Sequence, residues 1–171
     1  MSYLVILRLV HILCAVFWAG TLMYLAGFIV PTVKKLGPDG GKFMQQLART
    51  NRLPLVMNLA ASLTILAGIL LMERVSGGFQ SEWFSTQYGM IISLGAGFSI
   101  IAYIIGIMVN MPAAIRMGAI GKQVAASGAP PTPEQQQTLQ RLRKNLFTAT
   151  NYIALLLVLA TACMAVAQYW S

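Results

Sequence analysis

Acidic side chains and histidine are scarce in this sequence: its 171 residues include four aspartates and glutamates together and one histidine. None of the acidic residues lies inside an apolar segment, which argues against proton-coupled transport by carboxylates. The two cysteines, Cys14 and Cys163, are too few for a disulfide framework. A nucleophile–base–acid set, a phosphate-binding loop and a zinc motif are also absent from the sequence. These absences favour a non-enzymatic role.

Long apolar runs dominate what is present. Hydrophobic residues make up 57% of the chain and charged residues 9%, which is more apolar than a soluble domain requires. Four apolar segments cover residues 3–30, 53–72, 88–111 and 146–170. Each can form a helix that spans a bilayer, which takes about 20 apolar residues, and backbone groups in lipid favour helices. We therefore predict an all-α integral membrane four-helix bundle, with residues 1–171 forming a single transmembrane domain.

Basic residues are concentrated in the first and third connections, residues 31–52 and 112–145. These connections hold ten of the twelve lysines and arginines, but two of the four acidic residues. Because cytoplasmic loops carry an excess of lysine and arginine, we expect both connections in the cytoplasm and both termini on the outer, periplasmic side of a bacterial inner membrane. The net charge of +8 then belongs to one membrane face, so nucleic-acid binding is not expected.

Two short helices are predicted within these connections. One runs from Lys42 to Arg49 along the membrane surface. The other is polar, runs from Glu134 to Lys144 and leads into the last span. Its start is marked by Thr132 as the cap, with Pro133 at the first helical position and Gln135 three residues after the cap.

Small residues at four-residue spacing mark faces where helices can approach closely in lipid. Any excess of such surface favours a dimer or docking into a larger membrane complex. The predicted contact positions are Ala15 and Ala19, then Ala60, Thr64 and Gly68, then Gly89, Ser93 and Gly97, with Ser99, Ala102 and Gly106 on a further face of the third span. A hydrogen-bond cluster is also predicted from Asn58, Asn110 and Asn151 with Thr148 and Thr150.

Arg8 and His11 carry the strongest functional signal, because a charged or titratable side chain within a span is costly and usually faces protein, water or a ligand. They are three residues apart and so lie on one helix face, which Ala15, Trp18 and Ala19 continue. The pair either forms a site above this groove, or Arg8 extends to the outer headgroups and leaves His11 as a structural hydrogen-bonding residue.

Copper is one ligand that these segments could hold. Cu(I) favours sulfur donors together with imidazole. His11 and Cys14 lie three apart on the first span, and Cys163 and Met164 fall at a similar depth on the last span. The four donors would form a metal site if the first and fourth helices are neighbours.

The segment from His11 to Gly20, HILCAVFWAG, resembles the first-helix signature of the copper-resistance protein D superfamily. That signature is a histidine, several small or apolar residues, then tryptophan and a small residue followed by glycine. The resemblance extends loosely through Pro31, the Leu36-Gly37-Pro38 turn and Asn110-Met111-Pro112-Ala113. The superfamily includes copper-import proteins, the membrane-bound protoporphyrinogen oxidase family and many small four-helix proteins.

This resemblance implies a haem b site. In the haem-binding relatives an intramembrane histidine ligates the iron, which would make His11 an axial ligand and Arg8 the partner of a propionate. His11 is the only histidine, so a second ligand from the same subunit would be a methionine such as Met72, Met90 or Met164.

From these patterns we expect a non-enzymatic accessory or scaffold subunit, embedded in the lipid bilayer without a cofactor and docked to other membrane subunits or to a second copy. The alternative is a haem- or copper-handling membrane protein with His11 as a ligand. An oxidoreductase similar to the protoporphyrinogen oxidase relatives is disfavoured, because histidine and carboxylates are so few.

Overall fold

The computed structural model describes residues 2–50 and 52–170, and within these ranges it is all-helical without strands. Of residues 2, 38 and 48–50 only the backbone is described. The α-helices are α1 Ser2–Tyr24, α2 Val30–Leu36, α3 Pro38–Thr50, α4 Leu53–Val75, α5 Ser81–Phe84, α6 Gln87–Ile105, α7 Met111–Ser127 and α8 Pro133–Ala167.

Successive helices join into long rods that are each long and apolar enough to cross a membrane. In the described part of the chain there are four such rods: Tyr3–Leu36, Leu53–Val75, Gln87–Ser127 and Pro133–Trp170. The predictions of an all-α fold and of four candidate transmembrane helices are therefore confirmed.

A π-helical turn, Leu25–Ile29, joins α1 to α2 and carries the first rod past Pro31. In this turn the Val30 N–H donates to the Leu25 carbonyl, five residues back instead of four. A proline ring collides with the carbonyl four residues before it and offers no N–H in return, and a wider turn relieves that conflict. The helix consequently continues beyond the end of the predicted span at residue 30 and reaches Leu36.

The third rod also has a π-helical turn just before its proline. Its π-helical turn is Gly106–Asn110, where the Met111 N–H donates to the Gly106 carbonyl immediately before Pro112. Most of the predicted connection 112–145 is helical as a result, since α7 ends at Ser127 and α8 begins at Pro133. The two basic connections are therefore largely helical extensions of the spans.

The four rods form a square of two antiparallel hairpins. The first hairpin is α1 packed along α4, and the second is α6 packed along α8. The hairpins meet where α1 contacts α8 and α4 contacts α6, so that α1 lies diagonally opposite α6. The main core consists of Trp18, Ala19, Leu22, Ala60, Ala61, Ala102, Ile153 and Leu157.

Trp18 ties the two hairpins together near the centre of the bundle. Its side chain is buried, and its ring meets the Tyr103 ring edge-on with a centroid distance of 6.4 Å. The Tyr103 hydroxyl shares a 2.7 Å hydrogen bond with Ser62 Oγ of α4. Tyr103 of α6 thus contacts both helices of the first hairpin, and its polar tip is satisfied inside the bundle.

The second hairpin packs closely at Gly95. A Cβ atom at this position would lie 3.1 Å from Cys163 Cβ and 3.2 Å from the Ala160 carbonyl oxygen. Gly97, which the sequence placed at a contact, faces open space instead. The face of α6 that packs on the bundle therefore runs through Gly95, Ser99 and Ala102, which are all buried.

The end of the bundle that carries most of the basic residues is formed by α2, α3 and the first turns of α8, and we call it the basic end. Here Val30, Val33 and Phe147 form a second apolar cluster. The predicted surface helix over residues 42–49 lies within α3.

The predicted capping box at the start of α8 is confirmed. The Gln135 N–H donates to Thr132 Oγ1 at 3.2 Å, and the Thr132 N–H donates to Gln135 Oε1 at 3.0 Å. Pro133 occupies the start of the helix, as the sequence predicted.

Candidate functional site

His11 lies at the contact between α1 and α4. Its Nδ1 is 2.9 Å from the carbonyl oxygen of Thr64. A carbonyl oxygen only accepts, so Nδ1 carries the hydrogen, and in the neutral imidazole Nε2 then keeps its lone pair. Metal-binding histidines commonly have this arrangement, in which the other ring nitrogen donates to a backbone carbonyl. His11 is therefore held in an orientation that leaves Nε2 as the acceptor or ligand atom.

Gly68 provides the space for this imidazole. A Cβ atom at Gly68 would lie 2.9 Å from His11 Cε1 and 3.2 Å from His11 Nδ1. The hydroxyl of Thr64 donates to the Ala60 carbonyl at 2.8 Å, so it is the backbone of Thr64 that meets the histidine. The predicted contact face of Ala60, Thr64 and Gly68 is thus confirmed, and its role in receiving His11 was not predicted.

A cavity of ≈ 30 Å³ lies beside His11, with lining residues from all four rods. The first rod contributes His11, Ala15 and Trp18, on the face that the sequence predicted, and α8 contributes Thr161 and Met164. A space of about 10–15 Å³ suffices to hold one water molecule, so the cavity has room for water or for one small ion.

The structure brings together two of the four donors that the sequence proposed for copper. His11 and Met164 both line the cavity, whereas Cys14 and Cys163 do not. Cys163 lies against Gly95 in the seam of the second hairpin. Across residues 2–50 and 52–170, no group of three or more His, Cys, Asp or Glu side chains could hold a metal ion. The arrangement therefore offers one imidazole and one thioether.

Arg8 does not join His11. Its side chain is exposed, it does not line the cavity, and it forms no ion pair with any residue that the structure describes. The alternative, in which the side chain extends towards the headgroups, stays a prediction.

The hollow at His11 is partly open and much smaller than a pocket for an organic ligand. Pockets for organic ligands measure about 300–1,000 Å³, against ≈ 30 Å³ here. Of the methionines proposed as the second iron ligand, Met164 lines the cavity and Met90 is 52% exposed.

A larger hollow of ≈ 560 Å³ opens at the end of the bundle that holds residue 3 and the turn after α4. Its lining includes Tyr3, Leu70, Glu73 and Arg74. Both charged side chains are exposed to solvent, and the predicted site residues lie elsewhere. This hollow therefore has no concentration of reactive groups.

The predicted asparagine cluster forms in part. Asn110 Nδ2 donates to Thr150 Oγ1 at 3.4 Å, and Asn58 Nδ2 donates to Met111 Sδ at 3.3 Å. Asn151 and Thr148 are exposed instead of joining them. Asn110 Oδ1 is buried and has no hydrogen-bond partner in the part of the chain that is described.

No family model matches this chain, and neither a curated protein nor a solved structure matches it.

Proposed function

We propose that this protein is a non-enzymatic accessory subunit that docks, through the exposed face of α1, onto a transmembrane helix of a larger membrane complex. The observation that carries the proposal is how little of the first rod is covered. In its most apolar window 11% of the residues are buried, compared with 17% in the third rod, 28% in the second and 33% in the fourth.

The uncovered face of the first rod has the shape of a helix-docking surface. Gly20 and Gly27 are seven residues apart and so lie on one face, and a Cβ atom at either would meet open space. Large exposed side chains flank them, including Val16 at 67% and Phe28 at 66% exposure. Glycine contributes little to contact with lipid but lets a partner backbone approach closely, which favours a protein neighbour over lipid alone.

Site-specific photo-crosslinking in native membranes tests the docking proposal. A photoreactive side chain at Val16 should give one discrete protein adduct, and Gly20→Leu together with Gly27→Leu should remove it. The control is the same probe at Ile104, which is exposed on α6. Adducts of equal yield from both positions, or adducts that survive the glycine substitutions, would contradict docking at this face. An adduct between two copies of the chain would indicate a homodimer instead of a larger complex.

A second candidate function is the binding of one Cu(I) ion between His11 and Met164. The specific observation in its favour is that both side chains line one ion-sized cavity while Nδ1 of His11 is occupied by a backbone carbonyl. Imidazole and thioether are donors that Cu(I) accepts. A protein with this site would carry or deliver copper within the membrane.

Copper titration of the detergent-solubilised chain under reducing, anaerobic conditions tests this second function. One equivalent should bind, and His11→Ala and Met164→Leu should each abolish the binding. Met90→Leu is the matched control, because Met90 is exposed on α6. Binding that persists in both cavity variants would exclude the site, and a Soret band in the untreated protein would favour haem instead.

We further propose that the basic end faces the cytoplasm and both termini face the periplasm of a bacterial inner membrane. The charge distribution of the connections supports this orientation. In a background with Cys14 and Cys163 replaced by alanine, a cysteine at Gly78 should react with an impermeant maleimide on intact cells. A cysteine at Ser127 should react only after lysis, and the opposite pattern would reverse the topology.

A further inference from the structure

Arg143 lies at the basic end and forms no ion pair with any side chain that the structure describes. Its guanidinium lies on the backbone of α3, where a Cβ atom at Gly41 would come within 2.9 Å of both Cζ and Nη1. Its Nε is buried and has no hydrogen-bond partner among the described residues. A buried donor without an acceptor is costly. The Arg143 side chain as a whole is only partly buried, so an anion can approach the charge from the accessible side of the guanidinium.

A second cation, Lys34, lies over an aromatic ring one helical turn along α8 from Arg143. Lys34 Nζ is 6.0 Å from the centroid of the Phe147 ring. Phe147 is four residues after Arg143 on α8, so the two side chains are neighbours on one helix face. The ion pair that the described side chains form at this end joins Lys42 Nζ to Asp39 Oδ1 at 2.9 Å and involves neither Lys34 nor Arg143. Lys34 thus lies over Phe147, Arg143 lies one turn before it on α8, and neither forms an ion pair with a described side chain.

Taking the last apolar segment, residues 146–170, as the part within the hydrocarbon core places Arg143 at the level of the lipid phosphates. It lies three residues before Leu146, where the last apolar segment begins, which is about 4.5 Å along a helix. The headgroup region on each side of the hydrocarbon core is about 5–7 Å thick. Lys34 follows Pro31 by three residues and is exposed at the corresponding level of the first rod.

We propose that Arg143 and Lys34 bind the phosphate of one anionic phospholipid at the basic end. Arginine presents paired N–H donors that match two phosphate oxygens, and lysine adds a point charge. Gly41 contributes by having no side chain, which leaves room for the guanidinium beside α3. Basic pockets between transmembrane helices are a recognised kind of lipid headgroup site.

The test is native mass spectrometry of the full chain released from micelles that contain phosphatidylglycerol or phosphatidylcholine. The wild-type chain should retain one phosphatidylglycerol and little phosphatidylcholine. Arg143→Gln should weaken retention about tenfold, the size expected for losing a charge-assisted hydrogen bond. Lys144→Gln is the matched control, because it removes the same charge from the next, exposed residue.

Equal losses in the Arg143 and Lys144 variants would overturn the proposal, since they would indicate diffuse attraction to the basic end. Displacement of the lipid by inorganic phosphate at similar concentration would overturn the lipid assignment. The thermal midpoint of each variant in neutral detergent shows whether it is folded. Should Arg143→Gln not fold, Lys34→Gln takes its place, and unchanged lipid retention in that variant would count against the site.

Discussion

In both hairpins a glycine lets the two helices pack closely, but the group that lies against the glycine differs. In the first hairpin Gly68 of α4 receives the imidazole of His11. In the second hairpin Gly95 of α6 lies against Cβ of Cys163 and the backbone of Ala160. A side chain can rotate away from an obstacle and a backbone cannot. The second contact is therefore a rigid seam, whereas the first is an adjustable polar contact next to a cavity.

The hairpins are otherwise closely alike. In each hairpin, the rod that comes first in the chain has a π-helical turn shortly before a proline. The other rod of each hairpin buries residues at the same spacing. These residues are Ala60, Ala61, Thr64 and Ala67 in α4, and Ile153, Ala154, Leu157 and Ala160 in α8. Within this shared architecture the hairpins differ in the group beside the glycine, which is the His11 ring in the first hairpin and Cβ and backbone atoms of α8 in the second.

The largest effect is expected from a variant that disrupts the rigid seam. Gly95→Leu forces a side chain against the backbone of α8 and should destabilise the protein by about 1–3 kcal/mol. The measurement is the unfolding midpoint in detergent, followed by size-exclusion chromatography. Gly97→Leu is the control two residues away, where space is open, and it should leave the midpoint unchanged. Equal destabilisation by both variants would show that the seam is not at Gly95.

A smaller effect is expected at the adjustable contact. Gly68→Ala should displace the His11 ring and cost the hydrogen bond to Thr64, on the order of 0.6–2 kcal/mol. His11→Ala removes both the ring and the hydrogen bond. The double variant, Gly68→Ala with His11→Ala, should therefore lose less stability than the sum of the losses in the two single variants. A double-mutant cycle measures this coupling, which should exceed about 0.5 kcal/mol. Additive losses would mean that Gly68 and His11 do not interact.

The smallest effect is expected from a variant that makes the π-helical turns of the two hairpins more alike. Asn110→Ile gives the second π-helical turn the residue that ends the first, at Ile29. The substitution loses a long hydrogen bond to Thr150 but also removes a buried oxygen that has no partner among the described residues. These effects oppose each other, so the thermal midpoint should change little. A large loss would show that Asn110 Oδ1 has a partner in the membrane, such as water or a ligand.

Much of this fold could be predicted from the sequence because lipid imposes strong local rules. The four rods follow from apolar segments of sufficient length, and the start of α8 follows from Thr132, Pro133 and Gln135. The spacing of Ala60, Thr64 and Gly68 also identified the correct face of α4. Each of these signals depends on residues within a few turns of one another.

Signals that depend on a partner helix were harder to predict. Small residues occur on more than one face of α6, and nothing local separates Gly95 from Gly97. Met164 was one of several methionines at a suitable depth, and the packing of α8 alone placed it at the His11 cavity. Arg143 appeared as one more basic residue until α3 brought Gly41 against it.

By itself, the sequence determined that this chain forms helices of membrane-spanning length, because hydropathy and capping act along a single segment. Tertiary structure alone decided which groups meet: His11 with the Thr64 carbonyl, Gly95 with α8, and Arg143 with Gly41. The physical reason is that a helix presents several nearly equivalent faces to lipid. The choice among them is made by backbone approach and side-chain fit between helices that are distant in the chain.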